Sequence, residues 1–487
     1  MTPAAMKHRS AALTFSLSLA LAPLAALAQP AAPRPSMPPL PPTAPSPPGA
    51  AAQPAGGTTQ TGFTFGSYGR VGVASDLRGR TGRQANIVAH GPRTDAPSYA
   101  EVQFAYDGRL RAARWRAVVT LAMNEQLFHF TGNFDGAFAV RNLYLETRGV
   151  GSDRLSLWVG SRMYRGDDVY LLNWWPLDNL NMVGGGARYD IGDRWLVQAA
   201  VGMNRLDDPY QLQTIQVAPR DGLGSQTAFL LDRPRVLVSA KATFFTNGRL
   251  APSGLKLSLY GEAHAMASGV RQVSDAGARV ELPSDSGYVV GAQAGLYRGA
   301  NFLNLFVRYG RGLGAYGDLR VPATLASART AERAEEFTVA LAGNYETHAL
   351  GLQLGAYYRY FRDADPGVFS RNALQEAAVV ARPLWWITDH VGLAAEASFQ
   401  TITYNALDPV TGNGALRGTA WRFAAIPFVS PMGRGSYTRP HLQLLYIATI
   451  RDEGARRLYA PDDPFAFNAV EHFLGVSTEW WFNSSYL

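Results

Sequence analysis

The chain has 487 residues, 49 glycines, no cysteine and a formal charge of +7. A pI near 9.5 invites a nucleic-acid partner, but past Lys7 the only lysines are Lys241 and Lys256, and the arginines are scattered without the clustered stripe such binding uses, so none is expected. Without disulfides the fold must be held by packing and ladder hydrogen bonds alone, which favours a large self-sufficient domain.

In chain order, Lys7, His8 and Arg9 precede an apolar run from Ala11 to Ala26 and the small residues of "ALAQ". This pattern predicts a cleaved secretory signal over residues 1–28. Residues 29–60, "QPAAPRPSMPPLPPTAPSPPGAAAQPAGG" and its continuation, cannot build a core and are expected to form an extended, partly polyproline II linker in the periplasm. Residues 61–487 are compositionally uniform and read as one domain. No later segment approaches the roughly 20 apolar residues of a membrane-spanning helix.

Within that domain the dominant period is two. In "RLSLWVGSRMY" Leu155, Leu157 and Val159 share one face, with Ser156, Trp158 and Gly160 on the other. "GLKLSLYGEA" sets Lys256, Tyr260 and Glu262 opposite an apolar row, and "NFLNLFVRYG" does the same with Asn304 and Arg308. In "LGLQLGAYYRYF" Leu350, Leu352, Leu354, Ala356 and Tyr358 oppose Gln353, Tyr357 and Arg359. These are strands with one apolar and one polar face. A soluble sandwich would show the same alternation, but soluble β domains seldom grow this large without splitting. A closed antiparallel barrel in the outer membrane grows by adding hairpins. It turns apolar rows to outer-membrane lipid and polar rows to the lumen, and leaves no unpaired edge. At roughly 10 residues per strand plus loops, the length suits about 16 to 18 strands.

Five stretches resemble the maltoporin-like (LamB-type) carbohydrate porins: "FGSYGRVGV", "SYAEVQF", "WVGSRMYRGDDVYLLNWWPLDN", "SYTRPHLQLL" and "STEWWF". The resemblance implies an all-β transmembrane barrel of about 18 strands, a third loop folded into the lumen, a homotrimer and an oligosaccharide substrate of the maltose or maltodextrin type. It implies no cofactor. In the family an aromatic slide touches the apolar faces of pyranose rings while a polar track exchanges hydrogen bonds with their hydroxyls, giving many weak sites that let cargo leave as well as enter.

Carried over by the resemblance, the slide comprises Tyr68, Tyr99, Tyr437 and Trp481. Phe130 or Phe134 stands near a loop tryptophan that in the family a neighbouring subunit donates, and Tyr288 near a mid-channel aromatic. The track comprises Arg70, Glu101 and Asp168, with Arg93 and Arg141 as further arginines. At the constriction Trp175 takes the position of a family tyrosine, Arg165 lies beside Gly166 at an arginine position, and Asn173 replaces an acid.

Other readings remain open on the residues alone. The aromatics would equally suit an interfacial girdle, and a general diffusion porin of 16 strands would need no slide. A barrel-borne hydrolase would draw on Asp167 and Asp168, but adjacent residues on an extended chain point apart, and no GxSxG elbow occurs. The dispersed histidines show no metal-binding spacing.

Overall fold

The computed structural model describes residues 61–483 apart from 125–126, 134–137, 275–276, 366–372, 408–411 and 413. The expected signal and linker, and Phe134, lie outside the described residues. In chain order the strands are Gly62–Ser75 (β1), Tyr99–Leu110 (β2), Ala113–Asn124 (β3), Ala139–Arg148 (β4), Leu155–Arg165 (β5), Asn179–Ile191 (β6), Trp195–Asn204 (β7), Leu212–Val217 (β8), Gln226–Asp232 (β9), Arg235–Phe245 (β10), Ser253–Met266 (β11), Gly269–Gln272 (β12), Arg279–Leu282 (β13), Asp285–Arg298 (β14), Asn301–Gly312 (β15), Glu335–Glu346 (β16), Leu350–Arg362 (β17), Ala373–Trp386 (β18), Val391–Leu407 (β19), Ala415–Val429 (β20), His441–Arg451 (β21) and Val470–Phe482 (β22).

All but β8, β9, β12 and β13 join one 18-stranded sheet in which successive strands pair antiparallel. The sheet closes through β1 and β22, with Tyr68 opposite Trp481 and Arg70 opposite Glu479. Closure leaves no ladder edge unpaired, the condition for crossing hydrocarbon with strands. No helix among the described residues is long and apolar enough to cross a membrane. The hairpins β8–β9 and β12–β13 stand apart from the barrel sheet, within the β7–β10 and β11–β14 connections.

The period-two faces fall as the side-chain alternation demands. In β17 Leu350 and Tyr358 are exposed on the outer wall while Gln353, Tyr357 and Arg359 are buried inward. In β5 Leu157 and Val159 face out, and Ser156 and Trp158 face in. Leu, Val, Phe and Trp side chains thus cover an exterior that would be insoluble in water and is stable against lipid tails.

Connections alternate between two ends. Residues 111–112, 192–194 and 299–300 make tight turns at one end, whereas 76–98, 205–234 and 313–334 make long loops at the other. The long loops share a small core around Tyr210, Leu231, Leu313 and Tyr316. Arg233 is fully buried there, donating to the carbonyls of Ala267 (2.6 Å) and Pro283 (2.7 Å) and so tying two loops together.

Two loops enter the lumen. In the third loop, between β5 and β6, Val169, Tyr170, Leu171, Leu172, Trp174 and Leu177 are all buried. Small residues on the wall make room for it: a Cβ on Gly291 would lie 2.6 Å from Leu177, and one on Gly355 would lie 3.1 Å from Val169. Each buried aliphatic side chain contributes roughly 1.5–3 kcal/mol to holding the loop down. The first loop, between β1 and β2, lies against it and against β17 to β19. There Ile87 N–H donates to Gln400 (3.0 Å), Ala89 N–H to Glu376 (2.9 Å) and His90 N–H to the Tyr357 hydroxyl (3.2 Å). The His90 ring stacks on Trp174 with centroids 4.4 Å apart. Burial and the cations of Arg359, Arg320 and Arg308 hold that imidazole well below its usual pKa, so it stacks as a neutral ring.

Candidate functional site

The inner wall where the barrel closes carries the densest polar network. Arg93 of the first loop bonds Glu479 of β22 at 2.5 Å and the Tyr68 hydroxyl of β1 at 2.6 Å. Arg439, in the turn between β20 and β21, bonds the other Glu479 oxygen at 3.0 Å, and Tyr170 of the third loop donates to that oxygen at 2.7 Å. Arg439 also donates to the Tyr170 hydroxyl. Beside this group Arg141 of β4 pairs with Glu101 of β2 at 2.8 Å, and the Tyr99 hydroxyl donates to the same carboxylate. Arg382 pairs with Glu396 at 2.6 Å. The track continues across the wall through Arg359, which bridges Glu336 (2.6 Å) and Glu376 (3.2 Å), and through Arg308 on Glu336 (2.8 Å). Each of these arginines thereby has a carboxylate within reach, which is what permits it in a low-dielectric wall.

Aromatic rings run through this network. Tyr68 and Tyr99 lie 6.0 Å apart, and Trp481 packs against their cluster. Tyr170 meets Trp481 edge-on at 6.2 Å and Tyr437 at 5.3 Å, and Tyr437 lies 6.3 Å from Phe302. The carried-over residues Tyr68, Tyr99, Tyr437 and Trp481 are therefore brought together with Arg70, Arg93, Glu101 and Arg141. Their exposure differs: Tyr68 and Tyr99 are 1% and 2% exposed, so these rings brace the arginines and present no open face to the passage. Tyr437 and Trp481 are half-buried and keep open surface.

Several expected positions are corrected. Tyr288 is 44% exposed, on the outer wall near Tyr309, because in β14 the alternation turns Val289 inward. Phe130, by contrast, is exposed in the short helix Phe128–Thr131 of the second loop, where the resemblance would have it serve a neighbouring subunit. Trp175 is buried with the Arg165 guanidinium 4.3 Å over its ring. It therefore packs at the loop's base, and Tyr170 is the loop aromatic that meets Tyr437 and Trp481. Asn173 serves the loop's backbone: it caps the turn Tyr170–Leu172 in the left-handed region at φ 54°, a conformation asparagine tolerates better than most residues.

The two adjacent acids point apart. Burial would raise the Asp167 carboxyl, but Lys256 at 2.5 Å and the more distant Lys241 bring it below its ordinary value. Asp168 is pushed up to about 8 by burial, against the opposing charge of Arg93 and with that of Asp167 adding to the rise. Burial also raises the Tyr170 phenol, which keeps it a donor to Glu479.

The residues that sequence reasoning did not single out are Tyr170, Arg382, Glu396, Arg439 and Glu479, together with the apolar "NIVAHG" of the first loop. Arg439 and Glu479 lie inside the motifs "SYTRPHLQLL" and "STEWWF", next to the aromatics that were chosen. An apolar run inside a long polar loop was the available signal for the first loop.

A closed 18-stranded barrel with an apolar exterior, a charged lumen and inward-folded loops defines an outer-membrane porin, a channel of the bacterial outer membrane. The family described as LamB porin matches residues 63–482. The chain belongs to the LamB porin family. Solved structures similar to it include the outer-membrane channel DcaP of Acinetobacter baumannii, at 9% identity over 87% of this chain and 98% of that one with a TM-score of 0.45. OccD3 (OpdP) of Pseudomonas aeruginosa matches at 11% identity over 86% and 91%, TM-score 0.42. OmpT of Vibrio cholerae in its trimer form matches at 11% over 87% and 99%, TM-score 0.39. No curated protein matches the chain.

Proposed function

We propose that the channel conducts oligosaccharides, of the maltose or maltodextrin type, by facilitated diffusion. The observation that carries this reading is the pair of half-open rings, Tyr437 and Trp481, flanking Tyr170 beside the Arg439–Glu479–Arg93 network. Flat rings offer contact to the C–H faces of a pyranose, and the arginines and carboxylates can exchange partners with its hydroxyls. Asp168, Arg70, Glu101 and Arg141 extend the polar side of the same path. The burial of Tyr68 and Tyr99 shortens the slide, and this favours as a second reading a porin of weak sugar preference. The divergence of Asp167 and Asp168 does not favour that pair as the acids of a glycosidase. We read residues 1–28 as an export signal, 29–60 as a periplasmic linker and the native assembly as a homotrimer.

The test is single-channel recording of purified protein in a planar bilayer. Linear oligosaccharides should block the current saturably. Conductance that stays constant at high concentrations of every sugar tried leaves the general porin.

A further inference from the structure

Four residues that line one recess of the inner wall each hold a buried polar atom without a hydrogen-bond partner: Arg70 Nη2, Arg93 Nη1, Ser436 Oγ and His441 Nε2. Each belongs to a residue more than nine-tenths buried. The other atoms of the two arginines are engaged. Arg70 Nε donates to the Pro97 carbonyl (2.8 Å) and Nη1 to the Tyr68 hydroxyl (3.2 Å), while Arg93 Nη2 is shared between Tyr68 and Glu479. Leaving such groups unpaired in a buried site costs free energy, so a site that keeps four together is incomplete as it stands.

The recess has a second, contrasting wall. Leu384 of β18, Ile426 and Phe428 of β20, Leu445 of β21 and Phe473 of β22 form an apolar cluster on the lumen side, where a water-filled channel would ordinarily place polar residues. The His441 ring stacks on Phe428 at 4.7 Å, joining the two walls. Charge is also unbalanced. Arg70, Arg93, Arg382 and Arg439 line the recess against Glu479 and, behind Arg382, Glu396, while Asp95 is already matched by Arg422 at 2.8 Å. Asp168, which also faces Arg93, is kept largely protonated by burial at neutral pH.

We propose that this recess binds a small carboxylate carried on an apolar ring or chain. The guanidinium nitrogens are donors only, and Ser436 and the imidazole can each donate, so the set calls for a ligand rich in acceptors. A neutral sugar can accept from these donors but brings no charge to answer the surplus arginines. A carboxylate offers two oxygens with about four acceptor positions and the charge the surplus arginines lack. The apolar wall takes the ring. This recess shares Arg70, Arg93, Tyr170, Arg439 and Glu479 with the path proposed for sugar, but its test does not depend on the sugar reading.

The test is calorimetric titration of the full-length protein in detergent with benzoate, benzyl alcohol and acetate. Benzoate should bind saturably and at least tenfold more tightly than either of the others, a difference of about 1.4 kcal/mol. Arg93→Gln should bring benzoate down toward benzyl alcohol, and Ile426→Ala should weaken benzoate more than acetate. Absence of benzoate binding, or benzoate no tighter than acetate or than benzyl alcohol, overturns the proposal. That comparison uses the wild-type protein and stands if a variant fails to fold. Sugar block is measured separately, so its absence would remove the proposed function and leave this site to be judged on its own result.

Discussion

Tyr170 is the residue on which the third loop, the barrel closure and the aromatic row meet, so its truncation tests the geometry of the passage most directly. Its hydroxyl donates to Glu479 at 2.7 Å, its ring meets Tyr437 and Trp481, and the Arg93 guanidinium lies 4.6 Å above the ring. Tyr170→Phe removes two hydrogen bonds to charged groups, the one donated to Glu479 and the one accepted from Arg439, each worth roughly 1.5–3 kcal/mol. Glu479 keeps Arg93 and Arg439, so the loss should fall at the low end and conductance should change little. Tyr170→Ala also removes two ring contacts worth about 0.5–1.5 kcal/mol each, and opens the space the ring filled. Single-channel conductance should rise; Tyr170 is itself only 4% exposed and braces Tyr437 and Trp481, so loosening those rings by roughly 1 kcal/mol of stacking should weaken oligosaccharide block about fivefold. If Tyr170→Ala leaves conductance and block unchanged while Trp175→Ala alters both, the constriction lies at Trp175 and the loop is seated differently.

Trp175→Ala should instead cost stability, on the order of 3–5 kcal/mol for a buried tryptophan, read as a lower temperature for loss of the folded barrel band on unheated gels, with sugar block retained. Asp168 carries a pH effect. Its folded pKa of about 8 is raised above the carboxyl's ordinary 3.8, so the folded protein holds the proton more tightly. The loop's stability is then greatest below about pH 4 and declines as pH rises toward 8. Above that, a new negative charge stands beside Arg93, Arg165, Asp167 and Tyr437. Reversal potentials in a salt gradient should move toward cation preference between pH 7 and 9, and Asp168→Asn should abolish the shift; an unchanged shift in the variant assigns it to another group. Trp481→Ala should weaken sugar block several-fold while Tyr288→Ala, on the outer wall, leaves it unaltered, and equal effects would contradict the inward–outward assignment of β14. Light scattering in mild detergent should report a trimer, and a monomeric barrel would refute that assembly.

The alternation of β5, β11, β15 and β17 could be read directly, because a strand facing lipid on one side and charge on the other must repeat every two residues whatever its neighbours are. The barrel class followed from that period together with length. The closing pair was less visible: Tyr68 and Trp481 are far apart in sequence, and only closure sets them opposite one another. In β14 the run "GYVVGAQAG" carries a single polar residue, Gln293, on the phase of Val289 and is otherwise small or apolar apart from Tyr288, so the local signal is thin, and the ladder with β11 and β15 decides. The lumen was least legible. The third loop is seated by Lys256 of β11, Gly291 of β14, Tyr357 of β17 and Glu479 of β22, partners distributed over nearly the whole sequence. Which aromatic of "VYLLNWW" reaches the passage therefore depends on where those strands stand around the barrel. Sequence alone identified an aromatic, charged loop of the kind that constricts a pore; tertiary packing set Tyr170, and not Trp175, against Tyr437 and Trp481, because a ring's neighbours in a lumen are set by the wall opposite it.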